Sequence, residues 1–136
     1  MDLTSESPRV GNLMTVNPVV VDVDAPAAEA ERLIKTYHVS GLPIVSDDEV
    51  VGVISQSDLV VARSSAMISA NWERVRVRHL MTAPAVTVHV ETPIRRAADL
   101  MVDRHIHRLV VVDDQDRPVG ILSSLDLLKT LATPGS

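Results

Sequence analysis

Cysteine is absent from the 136 residues, which excludes disulfides, thiolate nucleophiles and cysteine-held zinc or iron–sulfur centres. Aromatic side chains are almost as scarce. Tyr37 and Trp72 stand alone, without a single phenylalanine, so the stacking platforms that hold single-stranded nucleic acids are missing. Positive charge is short as well: 13 lysines and arginines face 18 acids, a formal net charge of −5, whereas nucleic-acid binders gather cations on one face. Long hydrophobic runs are lacking too. Val50-Val51-Gly52-Val53-Ile54 is far too short to cross a bilayer, and residues 1–9 carry no apolar stretch of the signal-peptide kind. Together these absences predict a soluble, cytoplasmic protein with no nucleic-acid and no membrane partner. Catalytic signatures are missing from the same chain: there is no Gly-x-Ser-x-Gly elbow, no Gly-Lys-Ser phosphate loop and no His-Glu-x-x-His. A protein that is not an enzyme is expected.

The composition that remains, 46% hydrophobic and 23% charged, is that of a globular chain, and its length fits one compact domain with one core. The chain also repeats itself. Met14-Thr15 returns as Met81-Thr82, Val21 as Val88, Pro26 as Pro93, Ala30 as Ala97, Leu33 as Leu100, His38 as His105 and Asp47 as Asp114, all at an offset of 67 (81 − 14). After one inserted residue, Gly52, Ser55, Asp58 and Leu59 return as Gly120, Ser123, Asp126 and Leu127, at an offset of 68 (120 − 52).

Each copy has the same order of periodicities. Val19 to Val23 and Val86 to Val90 are β-branched runs that predict strands. Pro26 and Pro93 suit the first position of a helix, with Thr92 a good N-cap in the second copy and Ala25 a poor one in the first. Ala30, Leu33, Ile34 and Tyr37, and likewise Ile94, Ala97, Ala98 and Met101, follow helical spacing and predict one buried face. The helices run out at His38 and His105. Leu42 to Val45 and Leu109 to Val112 then predict sheet-interior strands, joined through acidic turns to Val50–Ile54 and Val119–Leu122 as hairpins. Closing helices are expected at about 57–63 and 125–131. Residues 64–71 are expected to extend the first of these, and Arg74, Arg76 and Arg78, alternating with Val75 and Val77, to lie along an extended strand with a solvated basic face.

A strand, a helix, a hairpin ending in Gly-hydrophobic-hydrophobic-Ser-x-x-Asp and a closing helix, present twice, resembles the cystathionine β-synthase (CBS) domain pair, or Bateman module. The motifs that carry the resemblance are Gly52-Val53-Ile54-Ser55-Gln56-Ser57-Asp58-Leu59 and Gly120-Ile121-Leu122-Ser123-Ser124-Leu125-Asp126-Leu127. His107-Arg108-Leu109-Val110-Val111-Val112-Asp113 is similar to a stretch of the nucleotide-sensing γ subunit of AMP-activated protein kinase. The resemblance covers residues 10 to 132 and implies an α/β (α+β) fold of tandem β-α-β-β-α repeats packed with pseudo-two-fold symmetry. The expected organisation is a flexible N-terminus at 1–9, repeat one at 10–63, a linker or helix extension at 64–74 and repeat two at 75–132. It further implies a homodimer, an adenine nucleotide (AMP, ADP or ATP, in some members S-adenosylmethionine) held in clefts between the copies, and an output passed to an unknown effector protein. No cofactor is required.

The residues offer chemistry for such a ligand. Asp58 and Asp126 are candidate ribose clamps, since one carboxylate accepts from both vicinal hydroxyls. Ser55, Ser57, Ser123 and Ser124, where a strand enters a helix, are candidate phosphate donors, with His107 and Arg108 as cationic partners in the second copy. Ser-x-x-Asp is also a helix capping box that needs no ligand, and both readings stay open. By resemblance, Thr15 and Val19 line one adenine pocket, and Thr82 and Val86 the other. A basic run from Arg104 to Arg108, with no counterpart in Tyr37 to Gly41, predicts two inequivalent sites. His105 and His107 would share a strand face, but no third ligand lies near them in sequence, so no metal site is expected. A dimerisation scaffold without nucleotide binding is the alternative function.

Overall fold

A computed structural model describes residues 8–131. The expected flexible N-terminus therefore lies outside the described residues apart from Pro8 and Arg9, as does the last residue of the expected second repeat. The elements in chain order are α1 (Val10–Leu13), β1 (Thr15–Val16), β2 (Val21–Asp22), α2 (Ala27–Tyr37), β3 (Gly41–Ser46), β4 (Glu49–Ser55), α3 (Gln56–Arg63), α4 (Ala66–Ala70), a 3-10 turn (Trp72–Arg74), α5 (Val77–Leu80), β5 (Thr87–His89), α6 (Ile94–Arg104), β6 (Arg108–Val112), β7 (Pro118–Ser123) and α7 (Ser124–Leu131). This is a mixed α/β chain with two repeats of strands and helices. Among the described residues, no helix is long and apolar enough to cross a membrane.

The described residues divide into two compact units, one of Val19–Ala85 and one of those up to Pro18 together with those from Val86 onward. Repeat boundaries and unit boundaries thus differ. Each unit takes the hairpin and helices of one sequence copy and the lead-in segment of the other. In the 19–85 unit the sheet order is β2-β3-β4, with β2 parallel to β3, β3 antiparallel to β4, and Thr82 bridging to Val53. In the other unit β1 pairs antiparallel with β7, and the order is β1-β7-β6-β5.

Chain length suggested one core, and there are two. Ala27, Ala30, Ile34, Leu42, Ile44, Ile54, Leu59, Trp72 and Val77 form one; Val10, Val88, Ala97, Met101, Leu109, Val111 and Leu122 form the other. Each unit buries its helix faces on its own sheet, so length alone misleads. The helix periodicity holds except at Tyr37, which is 55% exposed because it sits in the last turn.

Four local expectations are overturned. The first strands are shorter than their valine runs, covering Val21–Asp22 and Thr87–His89 only, because ladder pairing rather than β-propensity sets their length. Pro26 and Pro93 are the N-caps themselves, not first helical residues, and neither Ala25 nor Thr92 caps. The Ala27 N–H donates instead to the Val75 carbonyl at 2.8 Å, and the Ile94 N–H to the Pro8 carbonyl at 3.2 Å, so tertiary backbone supplies the partners that a cap residue normally gives. Residues 64–71 do not prolong α3: Ser65 accepts from the Ile68 N–H and starts the separate α4. Nor are Arg74 to Arg78 an extended strand, since the 3-10 turn and α5 occupy most of that segment. All three arginines are exposed, and Arg78 forms an ion pair with Asp24.

The hairpin turns follow their acidic residues. Asp47 and Asp48 both have positive φ (51° and 68°), the two-residue loop that matches strand twist and tolerates short polar side chains. In the second hairpin the Asp113 carboxylate accepts from the Gln115 and Arg117 N–H groups at 2.9 and 3.0 Å and from the Arg117 guanidinium at 2.9 Å. Burial pushes this carboxyl up, but those donors together bring it below its ordinary value.

Candidate functional site

The ends of β4 and β7 carry the Ser-x-x-Asp motifs, and their geometry is nearly the same in both units. The Ser55 N–H donates to Asp58 Oδ2 at 2.8 Å, while the Asp58 N–H donates to Ser55 Oγ at 3.1 Å. In the second copy the Ser123 N–H donates to Asp126 Oδ2 at 2.8 Å, and the Asp126 N–H to Ser123 Oγ at 3.2 Å. These are reciprocal capping boxes. The carboxylates are not equivalent, however. Asp58 is half-buried and its Oδ1 has no protein partner among the described residues, whereas Asp126 is 6% exposed and its Oδ1 faces the Lys129 ammonium at 3.3 Å.

Gly52 and Gly120, three residues before each serine, allow the lead-in segments to lie against the sheets. A Cβ on Gly120 would meet the Met14 side chain and come within 2.9 Å of the Thr15 carbonyl oxygen; one on Gly52 would meet Met81 Sδ and the Thr82 carbonyl oxygen, both at 2.9 Å. These contacts set the register. Thr15 lies opposite Ile121 and Thr82 bridges Val53. Paired residues share a sheet face, and so do residues two apart on one strand. Thr15, Ile121 and Ser123, together with Arg108 opposite Ser123, therefore line one face of the second sheet. The alternate positions Leu109, Val111 and Leu122 fill the core on the other face.

The chain direction into this region is set by His38 and His105, which end α2 and α6 in the left-handed region at φ 54°. The Val39 N–H then reaches the Ile34 carbonyl and the Ile106 N–H the Met101 carbonyl, the Schellman closure. Ser40 and His107 follow, and their carbonyls accept from the Gln56 and Ser124 N–H groups, each at 2.8 Å. His107 and Arg108 are exposed beside Ser123 and Ser124, where the first copy presents Ser40 and Gly41 beside Ser55.

One unit thus brings together Thr15, His107, Arg108, Ser123, Ser124 and Asp126, and the other brings together Thr82, Ser55, Ser57 and Asp58, with the Ser55 and Ser57 hydroxyls 3.1 Å apart. Thr15 and Val19 fall in different units, as do Thr82 and Val86. Val19 and Val86 are partly buried and pack at the margins of the two cores. Sequence reasoning did not single out Lys129, although its place at the position of Val61 (129 − 68) is readable from the repeat.

A cavity of about 630 Å³ opens elsewhere, lined by Thr87, His89, Thr92, Arg96, Asp99 and Asp103 among others. It contains none of the residues expected to hold a ligand. Its two α6 carboxylates oppose a phosphate, so volume alone does not make it the anion site. The starts of α3 and α7 are where hydroxyls and a carboxylate meet at a strand end.

Known proteins share this arrangement. An uncharacterized protein of Methanocaldococcus jannaschii is 30% identical over 125 residues, covering 90% of this chain and 38% of that protein. The inosine-5′-monophosphate dehydrogenase of the same organism is 29% identical, over 92% of this chain and 23% of the enzyme. The chain thus spans well under half the length of these curated relatives. Among solved structures, CBSX2 in complex with AMP, a CBS-pair protein of Arabidopsis thaliana, is 30% identical with a TM-score of 0.79, covering 91% of this chain and 96% of that one. The CBS domain pair of protein MJ0100, bound to 5′-methylthioadenosine and S-adenosyl-L-methionine, is 25% identical with a TM-score of 0.80, covering 93% and 97%. The CBS domain profile matches residues 10–65 and again 77–133, and the chain belongs to the CBS domain family.

Proposed function

We propose that the protein is a regulatory module that binds an adenine nucleotide (AMP, ADP or ATP) and signals through a ligand-dependent change in a homodimer. The observation that carries this reading is the meeting of a carboxylate, hydroxyls, an imidazole and a guanidinium at one strand end: Asp126 with Ser123, Ser124, His107 and Arg108, and more sparsely Asp58 with Ser55 and Ser57. Asp58 and Asp126 take the ribose hydroxyls, the serines with His107 and Arg108 take phosphate, and Thr15 and Thr82 border the adenine. Two structural neighbours hold AMP or S-adenosyl-L-methionine and 5′-methylthioadenosine, ligands that share adenosine. The repeats read as 10–63 and 75–132 serve as the two ligand-binding halves, and regulation rather than catalysis is the output. Exposed Val60 and Val61 on α3 and exposed Leu125 and Leu128 on α7 supply apolar helix surface for the dimer.

One observation favours a scaffold instead. Both capping boxes are closed without a ligand, so neither aspartate needs one to be satisfied. Isothermal calorimetry with AMP, ADP, ATP and S-adenosylmethionine separates the readings: saturable binding to the whole chain is expected, and dimerisation with no binding of any of the four leaves the scaffold.

A further inference from the structure

The charges of α6 oppose their own helix. Arg96 stands in its first turn and Asp103 in its last, whereas the helix dipole favours an acid at the start and a base at the end. The first copy is arranged the other way. There Glu29, at the position of Arg96 (96 − 67), and Arg32, at that of Asp99 (99 − 67), pair with each other at 3.8 Å. Arg96 and Asp99 have the same spacing, yet neither they nor Asp103 make an ion pair or a side-chain hydrogen bond among the described residues. All three are exposed and line the cavity of about 630 Å³ beside β5, together with Thr92, His89 and the half-buried Leu100. The His89 imidazole is already engaged: Nδ1 accepts from the Glu91 N–H at 3.1 Å, and Nε2 meets Asp114 Oδ1 at 2.5 Å. The whole lining belongs to the unit that runs from Val86 onward.

We infer that this cavity is a second ligand site, which takes a basic α-amino acid of the length of L-arginine. The ligand carboxylate pairs with Arg96 and the Thr92 hydroxyl, its α-ammonium with Asp99 and its side-chain cation with Asp103. Along the helix axis Arg96 stands about 4.5 Å from Asp99 and about 10 Å from Asp103. A ligand lying along α6 therefore needs its anion first, one cation close behind and a second farther on. That order also follows the dipole which the protein's own side chains oppose, so helix and side chains favour the ligand together. One guanidinium and two carboxylates leave the lining net negative, and an amino acid with one carboxylate and two cations complements it group for group. The volume lies within the range of small-molecule pockets, about 300–1,000 Å³. An adenine nucleotide would turn its phosphates toward Asp99 and Asp103, so this site is independent of the nucleotide reading.

Calorimetry on the full chain tests the inference with L-arginine, L-citrulline, which keeps the shape without the side-chain charge, and agmatine, which lacks the carboxylate. Saturable binding of L-arginine is expected. Pairs between exposed groups are weak, so L-citrulline and agmatine should each bind roughly threefold to fivefold less tightly. Asp103→Asn is expected to bring L-arginine down to the affinity of L-citrulline, and Arg96→Gln to bring it down to that of agmatine. Neither side chain has a partner to lose, so both variants should keep the parent's circular dichroism; the three ligands on the unaltered chain decide the matter if one does not. Absence of L-arginine binding overturns the inference. So does an affinity for either analogue equal to that for L-arginine, or L-arginine binding that is unchanged in a folded Asp103→Asn variant, which would place the amino acid elsewhere on the chain.

Discussion

At Asp58 and Asp126 the capping contact and the proposed ribose contact are two roles that substitution separates. Asn keeps an oxygen for the serine N–H but loses the charge that strengthens a bond to ribose; Ala loses both. Asp58→Asn is therefore expected to unfold near the parent temperature yet bind AMP about tenfold more weakly, while Asp58→Ala also loses about 1 kcal/mol from the missing capping interaction. Calorimetry beside thermal unfolding reads both quantities. Unchanged affinity in the Asn variant would leave Asp58 a cap and nothing more. Titration enters at Glu31, which accepts two 2.8 Å hydrogen bonds from Arg63; the same guanidinium lies 4.2 Å from the centroid of Trp72. The Arg63 hydrogen bond outweighs burial and holds the Glu31 carboxyl below its ordinary 4.5. A depressed acid stabilises the fold fully above its unfolded-state value and loses that contribution as pH falls through the lowered one. Glu31→Gln is expected to lower the melting temperature at neutral pH and to flatten its decline between about pH 5 and pH 3.

The elements show where sequence was sufficient and where it was not. Helical spacing from Ala30 to Ile34 and from Ala97 to Met101 located α2 and α6, because which face of a helix is buried depends on its own residues. The start of each helix was misread because the partner of the first N–H is Val75 or Pro8, far away in the chain. Likewise the alternation of Arg74, Arg76 and Arg78 carried a strand period without a strand to pair with. Gly120→Ala is expected to cost about 1–3 kcal/mol through overpacking, since the Cβ meets Met14 and the Thr15 backbone, and to free β1 from β7. Urea unfolding measures the cost, and protection of the Val16 amide in hydrogen exchange reports the strand. Gly52→Ala should loosen Thr82 in the same way, and a variant as stable as its parent would mean that the lead-in segments do not hold the sheets.

For the whole chain the expected readout is linkage. A ligand bound only by the folded state adds about 2.7 kcal/mol at a hundredfold excess over its dissociation constant, so the melting temperature should climb with AMP concentration and not with matched buffer salt alone. Assembly is tested separately. Val61→Glu and Leu128→Glu charge two exposed apolar positions, and sedimentation of the double variant is expected to show a monomer that keeps the parent's circular dichroism. A dimer that survives both substitutions would remove α3 and α7 from the interface.

The sequence by itself determined the repeat, the order of elements within it and the family to which it belongs, because strand and helix periods and the Gly-to-Asp spacing are local properties. It also placed the serines and aspartates at helix starts, since capping chemistry acts over three residues. Only the tertiary structure decided that Thr15 joins the sheet of the second copy and Thr82 that of the first, and that two cores form. Those outcomes depend on which distant backbone segments pair, and pairing between residues a hundred positions apart leaves no period in the chain to read.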